Sequence, residues 1–158
     1  LGSYLSTFEH EFTHALFAWM TLHKVVGLRV TWRSGGLCSF EGSGGGNWLI
    51  YIAPYWFPTV VLPCLLMATA GGQLHLQAVQ VLIGITVGYQ ITSTWRETHL
   101  GQSDLKQTGW IFALCFLPTA NLLIYGSICL WTLATPSDAT QYLRTVWVQT
   151  TAWITATL

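Results

Sequence analysis

Charge is what this sequence has least of. Of 158 residues, six are Lys or Arg and six are Asp or Glu, 8% in all, against about 25% in an ordinary soluble domain. A water-facing surface needs several times more, so a soluble globular protein is excluded. Net charge is zero and no basic run is present to neutralise phosphates, which excludes a nucleic-acid partner. Cysteine is sparse too. Cys38, Cys64, Cys115 and Cys129 have no CxxC spacing, so neither a disulfide framework nor a cysteine metal site is indicated. A basic n-region followed by a cleavage site is also missing. The chain opens at Leu1 inside a helical pattern, as expected of a longer chain trimmed upstream.

Apolar residues fill the space that charge leaves. The chain is 52% hydrophobic and 14% aromatic, with nine Trp and a mean hydropathy of +0.48. Disordered chains have the opposite composition. The sequence reads as an integral membrane protein whose partner along most of its length is the lipid bilayer.

Four apolar spans can be marked, at about 1–22, 48–70, 74–94 and 109–133. Each is close to the ~20 residues that cross a ~30 Å hydrocarbon core. Residues 141–158 alternate aromatic and Thr residues and predict either an interfacial amphipathic helix or a partial fifth span. The expected fold is an all-α polytopic membrane protein, a single domain over 1–158. Between the first two spans, residues 28–47 predict a β-hairpin and a Gly-rich loop. Val30-Thr31-Trp32 and Leu37-Cys38-Ser39-Phe40 are its strands, with Ser34-Gly35-Gly36 turning between them. Such a hairpin is either plain surface structure or an edge strand that grips an extended peptide. Pro54, Pro58 and Pro63 in span two free backbone groups that must be satisfied by neighbouring protein or a wet cavity.

Lys24, Arg29, Arg33, Arg96 and Lys106 fall in the first and third connections and only Arg144 on the other side. By the positive-inside rule, loops 23–47 and 95–108 are expected to be cytoplasmic, in a bacterial plasma membrane or an organelle membrane.

Span one holds His10-Glu11-Phe12-Thr13-His14, an HExxH pattern. On a helix, positions i and i+4 share a face, so both imidazoles reach one metal ion and the Glu stands beside it. In this composition the pattern is expected by chance about 0.004 times. Ionisable residues within a span are costly and usually mark function. The bland alternative is a hydrogen-bonded His/Glu knot between helices. Glu9 points away from Glu11 and reads as structural.

A catalytic zinc site needs a third protein ligand. Position 17 is Phe and position 20 is Met, so the longer HExxHxxGxxH arrangement is absent. Asp104, His99 and Glu97 remain as alternatives, with Asp104 favoured. His10 and His14 lie roughly 12–18 Å from the cytoplasmic end of span one at 1.5 Å per residue. If Asp104 is a ligand, the segment 101–108 must dip inward or be helical. Asn47 and Asn121 are candidates for contacts to substrate or to an oxyanion, and interhelical bonding is the competing role for Asn121.

An HExxH inside a membrane helix, a Gly-rich hairpin and a later Asp together resemble the site-2 protease family of intramembrane zinc metalloproteases. The resemblance covers spans one to four. It implies one catalytic Zn²⁺ held by His10, His14 and Asp104, with Glu11 as general base, and a transmembrane protein as substrate. The Ala53-Pro54 region is similar to the family's small-residue helix after the hairpin. The family's Asn-Pro-x-x-x-Leu-Asp-Gly pattern is replaced by Ser103-Asp104-Leu105, as in a compact, divergent branch. A non-catalytic descendant that binds metal or membrane proteins is the alternative. A transporter is disfavoured because spans two to four carry no ionisable residue apart from His75.

Overall fold

The computed structural model describes residues 2–31, 35–41, 47–72, 76–99, 101–133 and 136–157. Trp32, Arg33, Ser34, the loop 42–46 and His75, all singled out above, lie outside the described residues. The chain is mostly helical, with one two-stranded antiparallel hairpin.

Helix α1, Gly2–Met20, carries the HExxH residues. It stops at Leu22, which takes a left-handed conformation with φ 61°. From there the chain turns into β1, Val25–Thr31, which pairs with β2, Gly35–Phe40. The strand pattern therefore begins five residues earlier than expected, because Val25, Val26 and Leu28 favour extended backbone as well as Val30 does. Gly35 and Gly36 belong to β2, opposite Thr31 and Val30, rather than to the turn. The hairpin folds back onto α1, where Phe40 joins Phe17 and Ala18 in a buried cluster.

The apolar stretch 48–70 is not one helix. It forms α2, Trp48–Ile52, then a 3-10 turn, Ala53–Tyr55, and after an irregular link α3, Val61–Ala70. Pro54 and Pro58 explain the break, since proline has no N–H to donate and crowds the preceding turn. Asn47 caps α2 by accepting from the Leu49 N–H. Ile50, Ile52, Ala53 and Tyr55 are completely buried, so this bent piece is the centre of the packing rather than a lipid-facing rod.

Helix α4, Gln77–Glu97, and α6, Trp110–Leu133, flank it, and the short α5, Ser103–Thr108, lies between them in sequence. Leu105 of α5 is fully buried against Ile52, Tyr55 and Ala113. A second cluster, Val61, Ala68, Ile83, Tyr125 and Ile128, joins α3, α4 and α6. The C-terminal stretch is helical from Pro136 to Thr157 as α7 and begins earlier than the residue-141 boundary expected.

Among the described residues, α6 is the one helix long and apolar enough by composition to cross a membrane, with a mean hydropathy of 1.8. Helix α1 is long enough, but Glu9, His10, Glu11 and His14 lower its apolar character. Large apolar side chains nonetheless face outward on several elements, including Phe8, Trp19, Leu66, Leu82, Ile85, Ile111 and Leu114. Exposed apolar side chains in such number suit lipid or protein rather than water.

Candidate metal centre

His10 and His14 stand one turn apart on α1, with ring centroids 4.8 Å apart. Opposite them is Asp104, in the first turn of α5. Its Oδ2 lies 3.3 Å from His10 Nε2 and 3.4 Å from His14 Nε2. The three side chains are largely buried, at 10%, 6% and 17% exposure for His10, His14 and Asp104.

Three features bring Asp104 to this depth across 94 residues of sequence. The segment is helical, as its reach required, and Leu105 anchors it in the core. Glu97, at the end of α4, accepts from Ser6 of α1 at 2.9 Å and from Gln102, just before α5, at 3.3 Å. That carboxylate ties the start of α5 to α1.

The donor set suits a tetrahedral cation. With metal–ligand bonds of about 2.0–2.1 Å, neighbouring ligand atoms around zinc are roughly 3.3–3.4 Å apart. Both His–Asp104 separations have that length, while the three ligand atoms as a group lie within 4.8 Å, a looser spacing than a bound ion would set. A direct charge-assisted hydrogen bond would be about 2.7–2.9 Å. The imidazole of His14 is also oriented for the task. Its Nδ1 is 2.8 Å from the Ile50 carbonyl oxygen, which can only accept, so Nδ1 carries the proton and Nε2 presents its lone pair.

Glu11 shares a cavity of about 250 Å³ with these ligands. Residues Gly35 to Cys38 and Phe40 of β2 form one wall, and Glu97 and Gln102 to Asp104 form another. The Cys38 backbone N–H faces the Glu11 carboxylate. Burial first, then the nearby Glu11 charge, pushes the Cys38 thiol up to about 11.

The structure thus brings together His10, Glu11, His14 and Asp104. His99 does not join them; it is exposed, and its Nδ1 accepts from the Gly101 N–H at 3.2 Å. Glu97 lines the cavity but is engaged by Ser6 and Gln102. Glu9 is buried on another side of α1, in a small polar chamber with Ser6, Gln90 and Ser93. Neither Asn47 nor Asn121 is brought to the cavity wall. Asn121 donates to the carbonyls of Tyr55 and Leu117 at 3.0 and 2.9 Å, which ties α6 to the 3-10 turn. Sequence reasoning missed Gly36, Tyr55 and the Ile50 carbonyl. The proline-broken span was the one signal pointing to that region.

A helix-borne HExxH thus faces a carboxylate from a distant helix, under a small hairpin. The chain belongs to the Peptidase M50B-like family, whose family model matches residues 1–96, and so to the site-2 proteases. The matched stretch holds α1, the hairpin, the broken segment and nearly all of α4; Asp104 lies beyond it. No curated protein and no solved structure matches the chain.

Proposed function

We propose that the protein is an intramembrane zinc metalloendopeptidase that hydrolyses peptide bonds within or near transmembrane segments of membrane-protein substrates. The observation that carries this reading is the convergence of His10, His14 and Asp104 beside Glu11 in one cavity. His10 and His14 through Nε2, and Asp104 through Oδ2, would hold a single Zn²⁺. When bound, the ion supplies Lewis acidity, which polarises a carbonyl and acidifies water. Glu11 takes the proton of the attacking water and delivers it to the leaving amine as the C–N bond breaks.

A helical substrate hides its carbonyls in its own hydrogen bonds and must be extended before cleavage. Among the described residues strand β2 pairs with β1 alone, and five of its six residues line the cavity. Its other edge is suited to hold an extended segment beside Glu11 by main-chain hydrogen bonds. Substrate contacts from Asn47 and Asn121 would use the Asn47 amide N–H groups and the Asn121 carbonyl, since the Asn47 Oδ1 and Asn121 Nδ2 are engaged by backbone.

The proposed placement is multi-pass, with the spans marked above and loops 23–47 and 95–108 on the cytoplasmic side. Residues from both loops line the same cavity, which supports their lying on the same side.

The test is metal content and cleavage of a model transmembrane substrate in detergent-solubilised protein. Glu11→Gln is expected to keep one zinc and lose cleavage by about 10²–10⁴-fold. His14→Ala and Asp104→Ala are expected to lose zinc. Zinc binding with full cleavage in Glu11→Gln would overturn the assignment of the base, and absence of zinc from wild type would overturn the metalloprotease reading.

A further inference from the structure

Tyr55 is completely buried at the end of the 3-10 turn. Its hydroxyl donates to Asp104 Oδ2 at 3.4 Å, the same oxygen that faces both histidines. The edge of one ring meets the face of the other between Tyr55 and His10, with centroids 5.2 Å apart and planes at 87°. Its own backbone carbonyl is fixed by Asn121. Tyr55 does not line the catalytic cavity, so it does not reach substrate there.

We propose that Tyr55 is a positioning residue for metal binding, acting through Asp104 and His10. The inference rests on the metalloprotease reading above. Asp104 approaches on a six-residue helix whose own contact to its carboxylate is a long one from Ser103, to Oδ1. Oδ2 has two lone pairs. The Tyr55 hydroxyl approaches one in a long contact of 3.4 Å, which favours turning the other toward His10 and His14. Ser103 Oγ, at 3.4 Å, contacts the other oxygen, Oδ1. Against His10, the phenol ring limits the imidazole's swing. Together with the Ile50 carbonyl on His14, the residues 50–55 thus orient all three ligands from one rigid, proline-bent segment. An uninterrupted helix over 48–70 would not present a backbone carbonyl and a phenol to two different elements in this way.

The experiment is zinc titration against a competing chelator for wild type, Tyr55→Phe and Tyr125→Phe, with Co²⁺ absorption spectra of each. Tyr125 is another buried tyrosine, packed among α3, α4 and α6 away from the cavity, and so controls for loss of a buried hydroxyl. Tyr55→Phe is expected to unfold at the wild-type temperature when metal-free. Its zinc affinity is expected to fall about 10–100-fold, as when other partners of metal ligands are removed, and its Co²⁺ spectrum to shift. Tyr125→Phe should match wild type in both. Wild-type zinc affinity and spectrum in Tyr55→Phe would overturn the proposal while leaving the metalloprotease reading intact. An equal loss in Tyr125→Phe would overturn it as well, by making the effect one of packing. A wild type that binds no zinc would overturn both.

Discussion

Gly36 of β2 lies directly against the side chain of Glu11. A Cβ placed at residue 36 would fall 2.7 Å from Glu11 Oε1 and 2.8 Å from Cδ, and would also strike Cγ. The hairpin therefore comes as close to the proposed base as backbone can, and only glycine permits it. The Cys38 N–H of the same strand faces that carboxylate. One element thus both limits where Glu11 can go and holds it there.

The first prediction follows from that contact. In Gly36→Ala the carboxylate must move, while His10, His14 and Asp104 are untouched. Cleavage should fall at least about 10-fold, toward the 10²–10⁴-fold that general-base catalysis contributes, with zinc content unchanged. Kinetics and metal analysis on the same preparation check this; unimpaired cleavage would show that Glu11 does not need its present position.

A second prediction concerns the anchor of α5. Leu105→Ala removes a fully buried side chain packed on Ile52, Tyr55 and Ala113. Core Leu→Ala changes cost about 2–5 kcal/mol, and a six-residue helix has little stability of its own. Amide exchange in 103–108 should rise sharply and zinc affinity should fall with it. Unchanged exchange there would mean that α5 is held by something other than Leu105.

The third concerns Cys38. Its raised thiol stays protonated at neutral pH, and the thiolate is the reactive form. Alkylation of Cys38 by iodoacetamide should remain slow through pH 9 and accelerate only as pH approaches about 11. The linkage has the matching sign. An unfolded chain releases this proton near pH 9.0 and the folded one only near 11, so this group's contribution to stability is present below pH 9 and lost as pH rises through that window. In Glu11→Gln the alkylation profile should move to lower pH, because the second cause of the shift is gone. Peptide mapping after timed alkylation measures both.

What could be read before folding was read through short-range rules. The pair His10 and His14 is legible because four residues on a helix is a fixed geometry, and Glu11 comes with it. The hairpin was legible from glycines between two short strand-like runs, although its start was placed late. Asp104 was reached by elimination among the few acids available, not by pattern. The prolines of 48–70 marked where its backbone groups would need other partners, but apolar length does not reveal that the segment bends through the core. Asn47 and Asn121 drew attention as polar groups in apolar surroundings. Such amides look alike in sequence whether they serve a substrate or a neighbouring backbone, and here both serve backbone.

By itself, the sequence determined the composition of a membrane protein, the metal-binding pair on α1, and the glycine supply of the hairpin. Each is a property of composition or of residues a few positions apart, where chain geometry leaves little freedom. Tertiary structure alone decided that Asp104 rather than His99 or Glu97 meets the histidines, that Tyr55 and the Ile50 carbonyl stand behind them, and that Gly36 closes on Glu11. Those contacts join residues 25 to 94 positions apart. They depend on the burial of Leu105, the break at Pro54 and the packing of β2 on α1, and no local pattern encodes where such distant surfaces come to rest.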